Sequence, residues 1–202
     1  MDYVEEVIPL SGRQLVLLRP RDTNAMLVEE AFEHEELLPY WAELWPSSVA
    51  LARAVSELQL DGVRVVELGC GLGLPGIVAA LGGATVLATD WSPDALVFAA
   101  RNAALNGVEL RTARLSWAAP ELPAGTFELV LAADVLYERR NVAQLLALLP
   151  QLADDVLLAD PGRPALPAFL EGAAREWGVE TSFAAELPRG ALHRLRRRAA
   201  YP

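Results

Sequence analysis

The chain has 202 residues, 53% of them hydrophobic, and a formal net charge of −10 at pH 7. That length fits one α/β domain with a substantial core, the acidic balance argues against a nucleic-acid binder held by phosphates, and no window approaches the ~18 apolar residues of a membrane span. One cysteine permits no internal disulfide and fits a reducing cytoplasm, and all seventeen basic residues are arginine, so the chain offers no lysine of its own.

The opening is acidic, unlike a signal or transit peptide. Two extended pieces, about 4–10 and 14–19, are joined through Ser11-Gly12 and read as a hairpin. Residues 29–36 are acidic and read as the solvated face of a short helix or loop. The aromatic segment LPYWAELWP (38–46) follows. Ser47 or Ser48 is then expected to cap a helix whose apolar positions Val49, Leu51, Ala52, Val55 and Leu58 keep the helical period. The expected division is an N-terminal extension and lid segment over 1–46 and a main domain over 47–202, acting as a monomer. Trp41 suits either the lid or a plain cover of the core. Trp45, just ahead of the helix, stands where a pocket wall is supplied.

The chain from Val63 to Asp90 reads strand, glycine-rich turn, helix, strand. Val63, Val65 and Val66 lead to Glu67 and Leu68, a short apolar run suited to a buried parallel strand. Gly69, Gly71 and Gly73 alternate through the turn, and Pro75 sits at the helix start. Gly82-Gly83 stop that helix, and Thr85 to Thr89 form a second strand closed by Asp90. This is one βαβ unit with a ligand crevice at the carboxyl ends of its strands. Gly71-Leu72-Gly73-Leu74-Pro75-Gly76 also satisfies the GxGxxG dinucleotide pattern, which alone is a weak signal. Glu67, ahead of the first glycine, would meet a cation rather than a pyrophosphate, and Gly69 is one glycine more than NAD requires.

Beyond Asp90, Trp91-Ser92-Pro93-Asp94 announce a helix ending near Asn106-Gly107, with Ser92 as cap. Trp91 suits either a base-flanking or a packing role. Residues 108–115 make a third strand ending in Ser116-Trp117, a short polar group beside a broad apolar face. A loop over 120–125 precedes a fourth strand, 127–132, that runs into Ala133-Asp134-Val135-Leu136-Tyr137. Its closing acid lies where acceptor and donor would meet. A helix from Arg139 to Leu149, closed by Pro150, leads to a fifth strand at 156–159 and the turn Asp160-Pro161-Gly162-Arg163-Pro164. A helix over 166–177 and an antiparallel pair, 179–185 and 192–199, finish the chain. The arginines at 194 and 196–198 read as an exposed strand face. His34 and His193 lack metal-ligand spacing, so no metal is expected.

The E-x-G-x-G-x-G turn with an acid ending the next strand resembles the nucleoside-binding signature of class I S-adenosylmethionine methyltransferases. With LPYWAELWP, Leu115-Ser116-Trp117 and Asp134-x-x-Tyr137, residues 38–164 look like the seven-β-strand lysine methyltransferase family (family 16). DPGRP and PYWAELWP are similar to its electron transfer flavoprotein β-subunit branch. The resemblance implies a Rossmann-like α/β fold, a seven-stranded mixed sheet with its last strand antiparallel and helices on both faces, plus the short hairpin. It implies S-adenosylmethionine contacts on Trp45, Gly69, Cys70, Gly71, Asp90, Trp117 and Ala133, with Glu67, Trp91 and Ser116 beside them. Asp134 and Tyr137 would border methyl transfer to a protein lysine. Where many relatives carry an acid before the tryptophan, this chain has Ser116. A small-molecule N- or O-methyltransferase, a non-catalytic cofactor-binding module and, more remotely, a dehydrogenase stay open on sequence grounds.

Overall fold

The computed structural model describes residues 2–10, 12–23, 38–122 and 127–198; the acidic stretch 29–36, His34 and part of the 120–125 loop lie outside them. Strands β1 (Tyr3–Leu10) and β2 (Arg13–Pro20) form the expected antiparallel hairpin. The main sheet uses β3 (Arg64–Leu68), β4 (Thr85–Asp90), β5 (Arg111–Arg114), β6 (Leu129–Ala133), β7 (Asp155–Asp160), β8 (Trp177–Ser182) and β9 (Ala191–Arg197). Their order is β5-β4-β3-β6-β7-β9-β8, parallel except that β9 runs against both of its neighbours. The chain builds outward from β3 to β5, then crosses back to β6. This reversal makes the β3/β6 junction the switch point where α/β sheets place ligands.

The two-residue period of the strands separates two cores. Val65, Val86, Ala88, Leu129 and Leu131 face α1 (Pro46–Ser56), α2 (Leu74–Leu81) and α3 (Pro93–Leu105). Val66, Leu68, Val130, Val156 and Leu158 face α4 (Arg139–Leu152) and α5 (Leu166–Ala173). The hairpin contributes Ile8, Leu10, Leu15 and Leu17 to the first core.

Asn102 of α3 and Asn106 at its C-cap fasten the hairpin, because an i, i+4 spacing puts them on one helix face. Asn106 accepts the Val16 N–H at 3.0 Å and donates to the Val16 carbonyl at 2.8 Å. Asn102 does the same for Leu18, at 2.8 and 3.1 Å. Each side-chain amide thus takes the place of a neighbouring strand's peptide group along the open edge of β2.

Four local expectations differ from what forms. Pro46, not a serine-capped residue, opens α1: Trp45 is the N-cap and makes no side-chain cap, while the Ser47 hydroxyl is buried without a hydrogen-bond partner. Ser92 holds the N-cap place of α3, yet its hydroxyl makes no cap bond. Helix α4 continues through Pro150 to Leu152; in the last turn the proline sacrifices one backbone bond, and its carbonyl accepts from Arg197 at 3.0 Å. Helix α5 stops at Ala173, since Trp177 is buried as the first residue of β8.

Candidate active site

A cavity of about 440 Å³ opens at the carboxyl ends of β3, β4 and β6, a volume that suits a small ligand. Its wall contains Trp45, Glu67, Gly69, Cys70, Gly71, Asp90, Trp91, Ser116, Trp117, Ala133, Asp134 and Tyr137, so the topology gathers every site residue expected from sequence.

The floor is the turn after β3. The Cys70 N–H continues the ladder to the Thr89 carbonyl at 2.9 Å. Gly69 and Gly71 then take φ of +63° and +51°, a region that costs a residue with a Cβ about a kilocalorie per mole or more. At Gly71 a Cβ would also stand 3.1 Å from the Trp41 carbonyl oxygen. The turn therefore packs against LPYWAELWP on one side and leaves bare backbone toward the cavity.

Asp90 ties the end of β4 to this turn. One carboxylate oxygen accepts the Gly71 N–H and the other the Ser92 N–H, each at 2.9 Å. Burial raises its pKa, and these amide bonds oppose the shift. Each oxygen keeps a further lone pair for hydroxyl donors. Glu67 behaves differently. It is 2% exposed and accepts the Gly76 N–H in the first turn of α2 at 3.0 Å. Burial pushes its pKa up to about 8, so at neutral pH it is chiefly a protonated helix-start acceptor rather than a counter-ion for an ammonium. Burial also pushes the Cys70 thiol well up, which removes it as a nucleophile.

The other end of the cavity lies over β6 and β7. Asp134 has φ +56°, the single positive value at a non-glycine among the described residues, and aspartate tolerates that region better than most. Its N–H reaches the Ala159 carbonyl at 2.8 Å. Val135 and Leu136 dive into the core, and Asn141 of α4 holds the Val135 carbonyl at 2.9 Å. This returns Tyr137 to the rim, 44% exposed, its ring 5.9 Å from Tyr40. Desolvation, then the neighbouring Glu138, keep the Tyr137 hydroxyl protonated up to about 12. Trp45 donates its indole N–H to the Tyr40 carbonyl at 2.8 Å, so three aromatic rings border the mouth.

Sequence reasoning missed Arg163. The Asp160 carboxylate accepts the N–H groups of Gly162 and Arg163, each at 2.7 Å, and so tightens the turn after β7. Gly162 takes φ +92° there, with the Arg189 carbonyl 2.6 Å from where a Cβ would stand. Arg163 is thereby aimed back across the sheet top, and its Nε and Nη2 clasp the two Asp134 oxygens at 2.7 and 2.9 Å. The available signal was DPGR directly after a strand, a tight turn that re-aims a side chain. On the opposite wall Arg114 stacks 4.1 Å over Trp91 and bonds its carbonyl, which holds that indole beside Asp90. No group of three or more His, Cys, Asp or Glu among the described residues suits a metal ion.

The donor set suits a cationic nucleoside: a two-oxygen acceptor at Asp90, bare backbone at Gly69 and Gly71, an apolar face at Trp117 and a polar edge at Ser116. The model of a family described as lysine methyltransferase matches residues 33–159. Protein N-lysine methyltransferase METTL21A of Danio rerio is 37% identical over 128 residues, 58% of each chain. The electron transfer flavoprotein β-subunit lysine methyltransferase of Xenopus laevis is 35% identical over 136 residues, 62% of this chain and 53% of that one. The chain thus spans little more than half the length of these relatives. A ribosomal protein L11 methylase structure from Lactobacillus delbrueckii subsp. bulgaricus superposes with a TM-score of 0.59 at 26% identity, over 74% of this chain and 78% of that one. On this match, which runs from ahead of α1 into β7, the chain belongs to the lysine methyltransferase family, whose methyl donor is S-adenosylmethionine.

Proposed function

We propose that the protein is a protein-lysine N-methyltransferase, acting as a monomer in the cytoplasm. The observation that carries this reading is the location of Asp134 and Tyr137. They stand in one cavity with the glycine turn and Asp90, at the end opposite the nucleoside-type acceptors.

When bound, S-adenosylmethionine supplies a methyl group on a sulfonium, already a strong leaving group. What the chain must add is alignment in a dry site. In this reading Asp90 accepts from the ribose hydroxyls, and Trp117 and Ser116 receive the adenine by its face and edge. Trp91 flanks that base, Trp45 covers the amino-acid end, and Gly69, Cys70, Gly71 and Ala133 approach through backbone. A lysine ammonium has no lone pair, so it must lose a proton, here to water, before it reacts. The spare lone pairs of Asp134 accept an N–H of the amine and turn its nitrogen toward the methyl group. Tyr137, protonated throughout the working range, walls the channel.

Incubating the protein with methyl-labelled S-adenosylmethionine and a cell extract tests the reading. Label on lysines of a protein band is the expected result. Label confined to small molecules would instead support an N- or O-methyltransferase of that class. The enzyme itself has no lysine to confuse the assay.

A further inference from the structure

Each carboxylate that lines the cavity among the described residues has a partner. Glu43 lies 3.6 Å from Arg19 and accepts from Thr23, and Glu138 pairs with Arg140 at 2.5 Å. Asp90 serves two backbone amides, and burial keeps Glu67 protonated up to about 8. Asp134, with a side chain 7% exposed, is clasped at both oxygens by a guanidinium that is 33% exposed and shares the cavity wall. The hydrogen bonds to Asp134 in turn raise the pKa of Arg163, so the guanidinium stays charged. Its carbon lies 5.8 Å from the centroid of Trp45. Tyr40 and Tyr137 also line this end, and desolvation keeps the Tyr137 hydroxyl protonated up to about 12.

Among the described residues, an ammonium entering this end therefore finds no unpaired negative charge, only an ion pair whose two charges offset each other, whereas an uncharged amine finds aromatic faces and the unused lone pairs of Asp134. We infer that Arg163 is a positioning residue that neutralises Asp134 so that the acceptor end selects the uncharged amine over the ammonium. This rests on the methyl-transfer reading and adds to it: a partly buried site without net charge disfavours the charged form of an amine through desolvation, and that is the form that cannot react. Without Arg163, Asp134 would become a trap for the ammonium, holding substrate more tightly in its unreactive state.

The test uses the full chain loaded with S-adenosylhomocysteine, titrated at pH 7.5 and constant ionic strength with n-butylammonium chloride as a lysine side-chain probe, followed by the Trp45 indole N–H resonance. Arg163→Gln is expected to bind the probe at least about tenfold more tightly than wild type, a difference of about 1.4 kcal/mol. Arg163→Lys, which keeps the charge, shows no such gain. Asp134→Asn leaves the guanidinium unpaired, tolerates the same positive φ, and is expected to bind n-butyrate at least about tenfold more tightly than wild type. Combining Arg163→Gln with Asp134→Asn abolishes both gains. A structural role alone would weaken binding of either probe. Arg163→Gln binding n-butylammonium no better than wild type, or Asp134→Asn gaining nothing for n-butyrate, would overturn the inference. Wild type that fails to take up S-adenosylhomocysteine would instead overturn the reading of the site beneath it.

Discussion

Glu67, near the end of β3, shows how residue type leaves charge undecided. Glu67 has its pKa raised by burial from 4.5 to about 8, so the folded state holds a proton that the unfolded chain releases above 4.5. Its contribution to stability is full below pH 4.5 and is lost as pH rises to about 8. Glu67→Gln keeps an acceptor for the Gly76 N–H and cannot ionise. In cofactor-free protein the Tm of this variant relative to wild type is expected to climb steadily from pH 5 to 8, by several degrees in total. A constant difference across that range would contradict the assignment. Asp134, by contrast, is held at both oxygens by Arg163. Asp134→Ala is expected to abolish methyl transfer while affinity for S-adenosylhomocysteine stays within about threefold of wild type; retained turnover would remove the residue from the mechanism. Sequence marked both acids as site residues. It left the charge state of Glu67 and the partner of Asp134 open, because desolvation and a contact 29 residues away in the chain are set by the fold.

At the scale of elements, the hairpin and the cofactor turn meet on one side chain. Asn102 is fully buried, brackets Leu18 on β2, and uses its second N–H on the Leu72 carbonyl, within the glycine turn, at 3.0 Å. Asn106 brackets Val16 in the same way without touching the turn. Asn102→Ala strands buried backbone groups on both sides, an effect of about 2–4 kcal/mol. It is expected to lower both the Tm and the affinity for S-adenosylhomocysteine, by about tenfold for the latter. Asn106→Ala should lower the Tm with affinity nearly unchanged. Calorimetry on both variants separates the two effects, and equal losses of affinity would show that the turn does not depend on Asn102. The hairpin itself was legible in the alternation of 4–10 and 14–19. Its anchor was not, because asparagines at i and i+4 read as an ordinary polar helix face until a strand edge lies against them. Similarly, Trp177 reads as the end of a helical pattern, and burial under the sheet assigns it to β8.

For the molecule as a whole, strand order is what converts scattered motifs into a site. The βαβ unit and its two closing acids were readable because hydrophobic runs, glycines and Pro75 all agree locally. The mixed sheet with its reversed last strand follows from the family pattern and is what forms. The Asp134–Arg163 clasp escaped notice because it needs β6 and β7 side by side and a turn that bends back over them. The proposed acceptor end is thus a product of topology, whereas most of the proposed nucleoside end is already visible in a stretch of 28 residues, Val63 to Asp90. The proposed catalysis depends on that end. Calorimetric titration of S-adenosylhomocysteine into wild type and Asp90→Ala tests it most directly. Saturable one-to-one binding to wild type, weakened at least about 100-fold in Asp90→Ala, is the predicted result; a wild type that binds nothing, or an Asp90→Ala variant that binds as well, would contradict it.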